Sequence, residues 1–434
     1  MSNRTDWFVH DRFGLFIHWG LYALPARQEW VKSLEEIEDA EYDRKYFSRF
    51  EPDLYDPVQW ARAAKHAGMK YFVITVKHHE GFCLWNSRFT EYKSMNTPVK
   101  KDLLTPMVKA FRDEGIKVGF YYSLIDWHHE DYIIDTHNHP RRNGDIESLN
   151  KGRDHNRYIE YLHNQVRELL TDFGKIDILW FDFSFPDKND PLDLSKGKGK
   201  AAWKSEELYS MIRELQPDVI LDDRLDLPGA WDVKTPEQFQ PRSPYKVDGQ
   251  PVVWEACQTF SNSWGYDRDV LNYRDSRQLI ETLIDCVSKG GNLLLNVGPT
   301  GRGEFDYRAL ERLEDMGNWM RYNNRSIYGC AEAPPEYEKV ENCLLTYNRD
   351  KNRLYIHILS WPYKHLHLDG RAYIEHVEYA QFLHDASEVP IKGLEPWQEH
   401  SALDAGFDSE KTLTLVLPLN SPPVEIPVIE LFLK

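Results

Sequence analysis

Apolar residues gather along the first three-quarters of this chain in short, separated runs. These runs occupy 14–17, 71–76, 117–123, 177–181, 219–221, 252–256 and 292–297. Several are apolar almost throughout, as in FVITV over 72–76 and ILWF over 178–181. Runs of that kind belong to strands covered on both faces. Between them the spacing changes to that of amphipathic helices. The stretch 57–67 places Trp60, Ala64 and Ala67 on one face and stops at Gly68, and 104–114 stops at Gly115. Helical spacing returns over 156–173, 206–215 and 276–288, the last ending at Gly290 and Gly291. Strands alternating with helices are expected to run parallel in βαβ units. Seven or eight such units over ~320 residues predict a (β/α)8-like barrel. An open doubly wound sheet is the alternative that the same alternation allows.

The pattern changes near residue 330. After the double proline at 334–335, alternating strand-like runs follow at 344–348, 354–359, 377–383, 413–417 and 428–433. Turn residues separate them, and no helix is expected between them. This predicts a C-terminal β-sandwich, with the catalytic barrel over 1–333 and the sandwich over 334–434. Two further stretches stand out. The polar, Gly/Lys-rich segment 186–200 reads as a long mobile loop after the fourth strand. The segment 393–400, with Trp397, reads as a strand connection, with an interface as the alternative.

Composition narrows the functional classes. The 434 residues carry a formal charge of −17, a field that repels phosphate backbones and anionic lipid. Neither nucleic acid nor a membrane is expected as a partner; a homo-oligomer is left open. Five cysteines at 83, 257, 286, 330 and 343 show no paired spacing and read as small apolar residues of a reducing compartment. The N-terminal MSNRTDWF lacks the apolar core of a signal peptide, so a cytoplasmic protein is expected. Fourteen Trp and 24 Tyr are many for this length; aromatic rings stack on sugar faces as well as filling cores.

Barrel enzymes carry their chemistry at the C-terminal ends of the strands. The residues just after each apolar run form a coherent set. They are His18, the pair His78 and His79, Tyr121 with Asp126 and Trp127, Asp182, and the triplet Asp222, Asp223 and Arg224; Glu255 lies within the sixth run. Asp182 follows ILWF directly, and a carboxylate in that apolar setting is costly unless it is paired. The plainer alternative is a strand-end cap facing water. Adjacent histidines in a strand point to opposite faces, which is poor metal geometry, and the HExxH helix spacing is absent. No metal or other cofactor is expected. His128, His129, His137 and His139 fall in a polar stretch and read as solvated.

The blocks RFGLFIHWG (12–20), EW (29–30), YFVITVKHHEGFCLW (71–85), GFYYS (119–123), DW (126–127), DILWFD (177–182), DDR (222–224) and KGGNLLLNVGPTG (289–301) occur in this order. Together they resemble glycoside hydrolase family 29, the α-L-fucosidases, across roughly 7–330. The resemblance implies a retaining double displacement acting on fucosylated oligosaccharides or glycosides, with Asp182 as nucleophile. It implies that His18, Glu29, Trp30, His78, His79, Tyr121, Trp180 and Arg224 hold or surround the sugar. A retaining glycosidase also needs a second carboxylate about 5–5.5 Å from the first. Glu237 and Glu255 are the candidates. DVKTPE over 232–237 is similar to an acid/base pattern of some family members, which favours Glu237, on a loop mobile enough to reach over a bound sugar. Burial and the nearby carboxylate are expected to raise the pKa of the acid/base, while Arg224 keeps Asp182 ionised. The rivals are another retaining barrel glycosidase of galactosidase or hexosaminidase type, a non-catalytic sugar-binding protein, and a metal-dependent hydrolase.

Overall fold

The computed structural model describes residues 4–392 and 411–434. Seven parallel strands make one curled sheet: β1 (Phe13–Ile17), β2 (Tyr71–Lys77), β3 (Lys117–Ser123), β4 (Ile178–Asp182), β5 (Ile220–Leu221), β6 (Glu255–Thr259) and β7 (Asn292–Val297). Their order is β5-β4-β3-β2-β1-β7-β6. The gap between β5 and β6 is filled by the segment 232–238. Its first amides, those of Asp232 and Val233, donate to the Leu221 carbonyl. Its other side forms a parallel ladder with the chain entering and forming β6, through Lys234 with Trp254 and Glu237 with Cys257. The ring is thereby closed, as in a barrel and not as in an open doubly wound sheet. Glu237 therefore sits on a pinned segment of the barrel wall, not on the mobile loop expected from sequence.

Strands β1, β2, β4 and β7 are buried, apart from Asp182 at the end of β4, which is why they read as apolar runs. Outside them pack α1 (Pro57–His66), α2 (Leu104–Asp113), α3 (His155–Asp172), α4 (Ser205–Leu215), α5 (Ser276–Ser288) and α6 (Tyr307–Asn323). Asp56 caps α1 by accepting the Val58 and Gln59 amides, with Pro57 in the first turn. Asp275 and Gln278 form a reciprocal capping box on α5. The sixth strand differs from expectation: it begins at Glu255, three residues beyond 252. Val252 instead donates its amide to Tyr245 across the hairpin of Lys246–Val247 and Gln250–Pro251.

The C-terminal part contributes β8 (Ala331–Glu332), β9 (Cys343–Asn348), β10 (Arg353–Ile358), β11 (His365–Asp369), β12 (Val377–Phe382), β13 (Ile391–Lys392), β14 (Thr412–Val416) and β15 (Val428–Leu433). They form two antiparallel sheets, ordered β8-β9-β10-β15-β12 and β11-β14-β13. A second apolar core, with Leu354, Ile356, Leu368, Leu415, Ile429 and Leu431, lies with them. Strand β11 and a short helix, Arg371–His376, both fall where sequence gave no element. The sandwich is tied to the barrel by Arg325 on Glu430 at 2.6 Å and by the Trp319 indole on the Ile426 carbonyl. Trp397 and its segment lie outside the described residues.

The 186–200 segment is anchored, contrary to the mobile loop expected. Phe185 and Lys198 pair in an antiparallel bridge, and the Lys198 side chain is fully buried against Asp135.

Candidate active site at the C-terminal ends of the barrel strands

Asp182 is the last residue of β4, so the strand delivers its carboxylate to the mouth of the barrel. Tyr121, on the neighbouring β3 and in register with Trp180 of β4, donates its hydroxyl to Oδ2 at 2.7 Å. Arg224, just past β5, places Nη1 2.8 Å from Oδ1 and stacks over the Trp180 ring at 4.4 Å. His79 Nε2 lies 3.9 Å from Oδ2. The side chain is only 13% exposed, so Asp182 is no solvated cap. Burial alone would raise its pKa; Arg224, His79 and Tyr121 outweigh that and hold it below the ordinary carboxylate range.

The imidazoles form the adjoining wall. His18 follows β1 and bonds through Nδ1 to Asn296 Oδ1 of β7 at 2.7 Å. His78 and His79 do not face opposite ways, because β2 ends at Lys77 and both lie in the turn closed by the Gly81 amide on the His78 carbonyl. Their ring centroids are 3.9 Å apart, and both line the same cavity. His79 Nδ1 is fixed by Ser123 Oγ at 2.7 Å. His78 Nδ1 is buried with no hydrogen-bond partner among the described residues. Burial pushes His18 down to about 3 and His79 to about 4, and it lowers His78 as well. Three neutral imidazoles can both donate to and accept from hydroxyl groups. Among the described residues no group of three His, Cys, Asp or Glu is placed to hold a metal ion. His139, read from sequence as solvated, is buried.

These groups border a cavity of about 690 Å³ that Asp182, Glu237, His18, Trp30, His78, His79, Trp180 and Arg224 all line. Two candidate residues act from behind it. Tyr121 reaches the site through Asp182. Glu29 is buried and accepts the amides of Trp264 (3.1 Å) and Gly265 (2.7 Å) with Oε2. Burial raises Glu29 to about 7, partly offset by those amides. Glu29 thus seats the Trp264 loop, which also passes close to the end of β7: a Cβ at Gly298 would come within 2.6 Å of the Gly265–Tyr266 peptide. Sequence reasoning missed Trp264, Phe16, Phe183, Phe185 and Asp226, all of which line the cavity; Asp223, singled out after the fifth strand, lines it as well. For Trp264 the signal was there, an aromatic a few residues beyond a barrel strand. Phe16 was hidden as an ordinary apolar strand residue.

The structure separates the two carboxylate candidates. Glu237 lines the cavity, and its Oε2 is 2.8 Å from Arg224 Nη2, so one guanidinium bridges it to Asp182. Its side chain is 41% exposed, not buried as expected. Glu255 is the first residue of β6, in register with Asn292 at the start of β7. That is the opposite end of a parallel barrel. There it accepts a hydrogen bond from Tyr71, the first residue of β2, and burial raises it to about 8.

A closed parallel barrel that gathers two carboxylates on one arginine, beside neutral imidazoles and aromatic walls, defines a glycoside hydrolase. The family model for α-L-fucosidases matches residues 2–325, and the chain belongs to that family. It is 29% identical over 390 residues to the α-L-fucosidase of Dictyostelium discoideum, covering 82% of this chain and 78% of that one. The structure of α-L-fucosidase isoenzyme 1 from Paenibacillus thiaminolyticus superposes with a TM-score of 0.90 at 45% identity, over 100% of this chain and 99% of that chain. A family 29 α-L-fucosidase from Bacteroides thetaiotaomicron, trapped as a covalent intermediate with 2-fluoro-fucosyl fluoride, superposes with a TM-score of 0.82 at 27% identity, over 100% and 97%.

Proposed function

We propose that this protein is a retaining exo-α-L-fucosidase, with Asp182 as nucleophile and Glu237 as acid/base. Asp182 attacks the anomeric carbon while Glu237 protonates the departing oxygen. This leaves a fucosyl ester on Asp182. Glu237 then takes a proton from water, which attacks the same carbon and releases fucose with its configuration retained. The reading rests on Asp182: an ionised carboxylate at a strand end, held by Arg224, Tyr121 and His79 at the base of the cavity. Its negative charge opposes the positive charge that develops on the sugar ring in the transition state. The imidazoles of His18, His78 and His79 supply hydroxyl contacts. Phe16, Trp180 and Trp264 cluster with ring centroids 5.4 and 5.8 Å from Phe16 and offer an apolar corner for the C5 methyl of fucose. That corner favours fucose over a galactoside, whose hydroxymethyl would be left unpaired there. The cysteines, none in a disulfide among the described residues, fit a reducing compartment.

The test is Asp182→Ala with 4-nitrophenyl α-L-fucoside. Activity should collapse, and azide should restore turnover with an inverted β-fucosyl azide product. In Glu237→Ala, azide should give the retained product. Near-wild-type turnover by Asp182→Ala would end this assignment.

A further inference from the structure

The chain does not go straight from β4 to a helix. Phe183 takes φ of 78°, a costly conformation for a bulky residue, and swings the chain along the cavity. Ser184 Oγ donates to the Arg224 carbonyl at 2.6 Å and accepts the Trp203 indole at 3.0 Å. Phe185 then pairs with Lys198 through two backbone hydrogen bonds, of 2.7 and 3.1 Å. Beneath it, Lys198 is wholly buried. Its Nζ is 3.3 Å from Asp135 Oδ2, 4.4 Å over the Tyr132 ring and 5.5 Å from the Phe185 ring. Asp135 also accepts the Tyr132 hydroxyl and the amides of His137 and Asn138. Buried ion pairs add little net stability, so one built under a cavity wall points to positioning.

What it positions is an aromatic run. Phe183 lies 4.8 Å from His79 and 5.3 Å from Trp30 between ring centroids, and Phe185 continues it at 5.8 Å. Attack from Asp182 drives the leaving oxygen to the opposite face of the sugar, away from the strand ends. At about 690 Å³ the cavity falls in the range that holds drug-sized ligands and exceeds what one deoxyhexose fills. Asp226 lines it too, with Oδ2 fixed by the Lys200 amide. Aromatic faces beside a carboxylate acceptor match a second sugar ring, with its C–H face and its hydroxyls.

We propose that Phe183, Phe185 and Asp226 form a subsite for a sugar leaving group, and that the buried Lys198–Asp135 pair holds it in place. This rests on the fucosidase reading above. The experiment compares kcat/KM for α-L-fucosyl fluoride, which has no sugar leaving group, with that for 1,2-, 1,3-, 1,4- and 1,6-linked fucosyl disaccharides. Phe185→Leu should lower the ratio of best disaccharide to fluoride by about ten-fold or more. The double variant Lys198→Met/Asp135→Asn removes both buried charges together, so neither is left unpaired. It should lower the same ratio, whereas a purely structural role would depress both substrates alike. Ratios within about two-fold of wild type in Phe185→Leu overturn the subsite. Wild-type enzyme inert to fucosyl fluoride overturns the fucosidase reading and the subsite with it.

Discussion

Tyr121→Phe isolates one of the three contacts that keep Asp182 charged. The tyrosine is buried, and its hydroxyl donates to Asp182 Oδ2. The ring stacks on Trp180 at 5.5 Å and on His78 at 5.6 Å, and phenylalanine preserves both contacts. A hydrogen bond to a charged group contributes about 1.5–3 kcal/mol. At about 1.36 kcal/mol per pH unit, its loss raises the Asp182 pKa by about one to two units. The direction is upward because the hydroxyl stabilises only the ionised form. The acidic limb of kcat/KM against pH reports this group in the free enzyme. With 4-nitrophenyl α-L-fucoside, that limb should move up by the same one to two units. Stability follows with a definite sign. Asp182 has a depressed folded pKa, so its stabilisation is present above about pH 3.9 and is lost as pH falls through the folded value. The variant should therefore be less stable than wild type near pH 7, and the difference should close in acid. A folded variant whose acidic limb has not moved would refute this account of Asp182.

Glu255→Gln should leave the pH profile of turnover unaltered, since Glu255 sits at the far end of the barrel. The same variant tests linkage. Burial raises Glu255 to about 8, so its contribution to stability is full below about pH 4.3 and is lost as pH rises through 8; the glutamine should raise the urea midpoint more at pH 8 than at pH 5, and equal gains would contradict the assignment. Glu29→Ala strips the acceptor from the Trp264 and Gly265 amides, each costing about 1–3 kcal/mol, and should raise KM for the aryl fucoside about ten-fold as the Trp264 wall loosens. Glu29→Gln retains an acceptor and should recover most of that loss; an unchanged KM in the alanine variant would show that Glu29 does not seat the wall.

Much of the barrel was legible because its strands are covered on both faces and therefore stay apolar end to end. Asp182 was legible for the same reason: a carboxylate directly after ILWF has few plain explanations. The segment 232–238 was not, because DVKTPE has neither strand nor helix period; its place comes from hydrogen bonds to Leu221 and to the chain around β6. His78 and His79 were misread because the alternation rule was carried two residues past the end of β2. The 186–200 segment looked loose because a buried lysine cannot be told from a surface one until Asp135, distant in sequence, is seen beneath it.

Local pattern by itself determined the alternation of strands and helices, the change to a β-rich C-terminal part, and the strand ends where polar residues collect. It did so because burial on two faces and helix periodicity are written in neighbouring residues. Only the tertiary structure showed that Glu237 lines the cavity while Glu255 lies at the far end of the barrel. Both are glutamates near the same strand, and what separates them is the end of a parallel barrel on which each emerges. It also decided that Arg224 bridges Asp182 and Glu237, that Glu29 works through Trp264, and that Lys198 is buried under Phe185. Each of these depends on residues far apart in sequence, whose meeting is fixed by the closure of the barrel.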